Sequence, residues 1–141
     1  MRHIISGEWA KKWHDPALLF LRITTGLVFF MHGWQKWEGG IAQTAGFLAS
    51  LQFPIPDLFA ILLIGVEVIG GAALILGVFT RLAAKLAGIV ALVALFTVHA
   101  SKGFFISNGG YEFILLLLAA CVAILVLGPG AWSVDRKFLK M

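Results

Sequence analysis

The chain has 141 residues, enough for one domain, and 60% of them are hydrophobic and 13% charged, with a mean hydropathy of +0.96. A soluble fold of this size cannot hide so much apolar surface, which excludes an ordinary globular enzyme and makes a bilayer the expected solvent. The formal charge of +4 lies between apolar runs, not in a patch, so no nucleic-acid partner is expected; the single cysteine, Cys121, excludes an internal disulfide, a CxxC redox pair and a cysteine-built zinc site.

The N-terminal stretch MRHIISGEWAKKWHD lacks the apolar core of a signal peptide. Trp9 and Trp13, four apart beside Lys11 and Lys12, predict a short helix in the headgroup region. A first apolar segment covers about 17–37, with Asp15-Pro16 read as its cap and first turn. GGIAQTAGFLASLQFP follows, only mildly apolar, with Phe47, Leu48 and Leu51 on one side; it predicts a short interfacial or re-entrant helix. A second segment, about 57–79, follows Pro56-Asp57, and a third, about 82–101, follows Thr80-Arg81. The fourth, about 111–127, is stopped by Gly128-Pro129-Gly130. Each is about 17–23 residues, the length a helix needs to cross about 30 Å of hydrocarbon. No ten-residue alternation of a membrane barrel appears. The expected fold is all-α: a transmembrane four-helix bundle, residues 1–141 forming a single domain.

With four spans, both termini share a side. Arg2, Lys11, Lys12, Arg81, Lys85, Arg136, Lys137 and Lys140 fall on that side with Arg22 just inside it, whereas Lys36 and Lys102 fall at the other end. The positive-inside rule then places both termini in the cytoplasm.

Polar residues within apolar spans mark what the bundle must bury. At about 100° per residue, Arg22, Gly26, Gly33 and Lys36 share one stripe of the first helix, with His32 at its margin. Glycines on that stripe let another helix approach closely. Glu67 lies mid-way along the second span, with Gly70 and Gly71 on its face, and a carboxylate at that depth needs a partner or a proton. An ion pair between Arg22 and Glu67 is expected; the competing reading lets Arg22 snorkel to the headgroups and leaves Glu67 protonated.

His99 in FTVHASKGFF and Glu112 in NGGYEF sit near the same membrane face as His32 and Lys36. These four side chains, from three helices, are expected to converge in one cavity under a lid that includes Trp34, Trp37 and Phe105, with Glu112 as the carboxylate for Lys36. No HxxxH or ExxH spacing supports a metal site, and no haem or flavin motif is present. Cys121 lies roughly opposite Glu112 and reads as a small packed hydrophobe.

These blocks give the chain its resemblance. LRITTGLVFFMHGWQKW, VEVIGGAALILGVFTRLAA, HASKGFF, NGGYEFILLLLAA and GPGAWSVD, in this order and across nearly the whole chain, resemble the DoxX family of small bacterial membrane proteins. The resemblance implies a four-helix transmembrane bundle and carries motif positions Arg22, Gly33, Lys36, Glu67, Gly71, Gly77, Arg81, Glu112, Ser133 and Asp135, with His32 and His99 also matching a common pattern. The family takes its name from a subunit of a thiosulfate:quinone oxidoreductase, and other members are linked to redox and oxidative-stress assemblies. No sulfur-handling cysteine is present here, so thiosulfate chemistry in this chain alone is not expected.

The expected function is a redox-associated membrane subunit with a quinone or small-ligand site near the outer face, active only with a partner that supplies electrons. The alternative is a non-enzymatic scaffold that anchors soluble redox or stress proteins. A homo-oligomer fits either reading.

Overall fold

The computed structural model describes residues 8–139; Arg2 and Lys140 of the charge balance lie outside the described residues, as does the side chain of Trp9. A 3-10 turn, Glu8–Trp13, leads into α1, His14–Gly39. A short helix α2, Ile41–Ser50, is followed by α3, Pro56–Leu76, and α4, Thr80–Lys102. The last helix, α5, is Glu112–Leu127. Among the described residues there is no strand. The runs Ala10–Gly39, Pro56–Leu76 and Thr80–Lys102, of 30, 21 and 23 residues, are long and apolar enough to cross a membrane. α5 is equally apolar but has 16 residues, about 24 Å of helix, shorter than the other three.

Burial follows the logic of lipid solvent. Phe20, Ile69, Phe96 and Leu116 are 68–75% exposed, while Arg22, Glu67, Thr80 and Asp135 are buried. The core between the helices is built from small residues: Ala83, Ala84, Ala87 and Ala91 of α4 pack with Cys121 and Ile124 of α5. Cys121 is thus the small packed hydrophobe expected from its position. Large apolar side chains outward and small ones inward is the arrangement of helices packing in a membrane, where close contact rather than the hydrophobic effect drives association.

The α1–α3 crossing shows that closeness in numbers. A Cβ on Gly71 would lie 2.5 Å from the Phe30 nitrogen and 2.7 Å from the Gly26 oxygen. One on Gly33 would lie 2.7 Å from Glu67 Cβ and 2.8 Å from the Val68 nitrogen. The glycine stripe therefore faces α3. Both α3 and α4 contain a single wide π-turn, Val66–Gly70 and Leu95–His99, and these turns carry Glu67 and His99. α4 packs along α5, and meets α3 mainly from Val66 onward. Toward the start of α3 the two helices separate, and α2 packs over the first half of α3.

The start of α1 corrects one expectation. The helix begins at His14 with no side-chain cap, because the Asp15 carboxylate is used elsewhere: its Oδ1 accepts the Ala131 N–H at 2.9 Å. The segment after α5 folds back beneath the bundle. Asp135 accepts the Phe79 and Thr80 N–H groups at 2.7 and 2.8 Å, satisfying the first donors of α4, and its own N–H donates to the Gly77 oxygen at 2.9 Å.

Candidate functional site

A cavity of about 540 Å³ lies between all five helices, at the end of the bundle where α1 finishes and α5 begins. Its walls are apolar, with Phe29 of α1, Phe47 and Leu48 of α2, Phe59 of α3, Val93 of α4 and Phe113 of α5. His32, Lys36, Glu67 and His99 add the ionisable groups.

α1 supplies His32 and Lys36 from the last turns of its glycine-bearing face. Lys36 Nζ donates to Glu67 Oε2 at 2.7 Å and Oε1 at 2.9 Å, bridging both oxygens of a buried carboxylate. Gly33 makes this pair: one turn before Lys36, its missing side chain lets the Glu67 turn of α3 close on α1. A buried charge in lipid requires such a partner.

The two histidines are held in the same manner. Nδ1–H of His32 donates to the Val28 oxygen at 2.8 Å, and Nδ1–H of His99 to the Gly109 oxygen at 2.7 Å. A carbonyl only accepts, so Nδ1 carries a proton in both rings. Nε2 is left as the nitrogen without a hydrogen bond among the described residues. The cavity therefore contains two imidazoles whose tautomer is fixed by backbone, beside one ion pair.

The expected Arg22–Glu67 pair is corrected. Gly77, packed against Arg22, lies ten residues from Glu67 along the chain of α3, about 15 Å by helical rise and beyond a side chain's reach. Arg22 is buried at the opposite end of the bundle and donates through Nη1 to the Pro129 oxygen and through Nη2 to the Trp132 oxygen, the latter at 2.8 Å. It fastens the C-terminal segment instead of reaching into the site.

Of the expected outer cluster, His32, Lys36 and His99 line the cavity, whereas Glu112, Trp34, Trp37 and Phe105 do not. Glu112 folds back to accept the Ile106 N–H at 2.7 Å, so it ties down the α4–α5 loop, and Lys36 has Glu67 as its carboxylate. Trp34 lies about 160° around α1 from Lys36 and Trp37 about 100°. Both are exposed, as is Phe105, with Trp34 stacked on Phe30 at 6.1 Å between centroids and Phe105 edge-on to Phe104 at 5.4 Å. They form an outward belt. The aromatic walls come from Phe29, Phe47, Phe53, Phe59 and Phe113. Of these, Phe47 could be found from the apolar side of the segment after α1; the others carry no signal beyond apolar character.

Comparison with known proteins finds relatives along most of the chain. The DoxX family model matches residues 17–100. The Bacillus subtilis protein named "Putative oxidoreductase CatD" is 32% identical, over 80% of this chain and 81% of its own length. An uncharacterized protein of Haemophilus influenzae is 36% identical over 92% of this chain and 96% of its own length. The inner membrane protein YqjF of Escherichia coli is 28% identical over 92% of this chain and 98% of its own length. No solved structure matches. Its apolar helices and these relatives make the chain a membrane protein, and it belongs to the DoxX family.

Proposed function

We propose that the chain is the membrane-embedded, ligand-binding subunit of a quinone-linked redox system, with the histidine cavity as its site. The observation that carries this reading is the pairing of apolar walls with two imidazoles whose Nε2 atoms are unengaged. A membrane redox ligand of this class has an apolar body and ring oxygens that need hydrogen-bonding partners, which is what such a cavity supplies. Bound quinone supplies two-electron, two-proton redox chemistry. Histidine suits the proton side, because imidazole gains and loses a proton near neutral pH. Lys36 and Glu67 supply a charged pair at the polar end that could pass a proton onward.

Access also supports a ligand that arrives through lipid. Leu62 of α3, and Ile89 and Val93 of α4, line the cavity and are exposed. α3 and α4 separate in that half, which leaves room for a lateral entrance between them. Electrons come, in this proposal, from a soluble redox partner docked at the membrane surface, in keeping with a relative whose name includes oxidoreductase. Both termini face the cytoplasm, by the positive-inside rule.

The test is extraction of the full chain in mild detergent, followed by mass spectrometry of the lipids it retains. Wild-type protein is expected to carry quinone, and the double variant His32→Gln, His99→Gln to lose it about tenfold while eluting as a folded species. Wild-type protein that carries no quinone but holds a stable protein complex would replace this reading with the scaffold.

A further inference from the structure

We propose that the basic end of the bundle, opposite the histidine cavity, contains a binding site for a phosphate-bearing anion. A second cavity, of about 300 Å³, is lined by His14 and Asp15 of α1, Arg81 of α4, Pro129 and Gly130 of the returning segment, and Arg136. It shares no residue with the histidine cavity, so it is a separate site.

One of its cations is held by a side-chain hydrogen bond, and the other rises from a fixed backbone. Arg81 Nη1 donates to the Leu125 oxygen at 2.8 Å, which pins the guanidinium to the end of α5. Gly128 packs on the same group, its missing Cβ only 2.8 Å from Arg81 Nη2. Nε and Nη2 of Arg81 make no hydrogen bond among the described residues. Arg136 starts from a fixed backbone, its N–H held by Ser133 Oγ at 3.1 Å, and Ser133 Oγ donates in turn to the Gly130 oxygen at 2.8 Å.

The charge balance of the cavity is positive. Asp15 is the one carboxylate among the described residues that line it, and its Oδ1 accepts the Ala131 N–H at 2.9 Å, with His14 Nδ1 at 3.9 Å. Two guanidinium-bearing residues and a histidine line the cavity with that one acid, half of whose oxygens are engaged. Guanidinium groups match phosphate oxygens in a planar, two-pronged geometry. Trp13 and Trp132, neighbours in sequence of lining residues, are exposed, as is Phe79 at the start of α4. Exposed aromatics beside basic cavities suit the headgroup level, where such cavities hold anionic lipid. A phospholipid headgroup and free phosphate share the recognised chemistry.

The experiment is native mass spectrometry of the full chain released from nanodiscs of mixed phosphatidylcholine and phosphatidylglycerol. Phosphatidylglycerol is expected to stay bound in preference to phosphatidylcholine. Arg136→Gln, an exposed change that keeps the backbone hydrogen bond, is expected to weaken that retention about fivefold. Lys85→Gln, an exposed basic residue outside the cavity, is the control and should leave it unchanged. Equal loss from both variants, or equal retention of the two lipids without phosphate binding, would overturn the site. Inorganic phosphate that binds the detergent-solubilised chain, with the same Arg136→Gln sensitivity, would support the site with free phosphate as its ligand.

Discussion

At the scale of single residues, the buried charges explain themselves only in pairs. Glu67 faces Lys36 because Gly33 brings the two helices together, and each oxygen of the carboxylate is within 2.9 Å of the same ammonium. Removing one partner strands the other in an apolar surrounding. Lys36→Leu or Glu67→Leu alone should destabilise the detergent-solubilised bundle by about 3 kcal/mol, read as a lower melting temperature. The double change to leucine should recover most of that loss. If it is no better than the single changes, the pair is not what holds this crossing. The sequence told which residues needed partners, since Glu67 and Arg22 stand out against their surroundings. It did not tell which partner each takes. That depends on helix register: Gly33 lies against Glu67 and Arg22 against Gly77, and a one-dimensional count of depth cannot resolve a shift of that size.

At the scale of helices, close approach is the organising fact, and glycine patterning made it legible. Two glycines of α3, six residues apart, separate contact from propensity. Gly65 has nothing within 4 Å of an added Cβ, whereas Gly71 would place one 2.5 Å from the Phe30 backbone nitrogen. Gly65→Ala is therefore expected to be neutral or mildly stabilising, by up to about 1 kcal/mol of helix propensity. Gly71→Ala must push α1 away and is expected to cost about 1–3 kcal/mol, with loss of quinone retention if that retention depends on the α1–α3 crossing. Thermal unfolding of the two variants in the same detergent checks the contrast; equal effects would mean that the crossing can yield. The segment after α1 was legible as a short helix, and α2 is one, but its contribution to the cavity wall was not. Nothing in a mildly apolar stretch says which space its apolar side will close. The aromatic lid failed for a related reason: Trp34 and Trp37 share the level of Lys36 but not its face.

At the scale of the whole molecule, the two ends of the bundle differ in kind, and the orientation proposed above assigns each to a side. One end is stitched together around the small anion cavity: Arg22, Asp15 and Asp135 each bind backbone groups brought in by the segment after α5 or by the start of α4. The other end leaves a cavity beneath a loop held by Glu112 and His99. Lys11, Lys12, Arg81, Lys85, Arg136 and Lys137 gather at the stitched end, which the positive-inside rule assigns to the cytoplasm. Ser107, exposed in the loop between α4 and α5, then faces outward, and Lys85, exposed on α4, faces the cytoplasmic side. The native thiol makes a clean background, because Cys121 is buried in the core between α4 and α5. Ser107→Cys is therefore expected to react with a membrane-impermeant maleimide on intact spheroplasts, and Lys85→Cys only after permeabilisation. The reverse pattern would turn the molecule over: the histidine cavity would then open toward the cytoplasm, next to any soluble donor, and the anion site would face the outer leaflet.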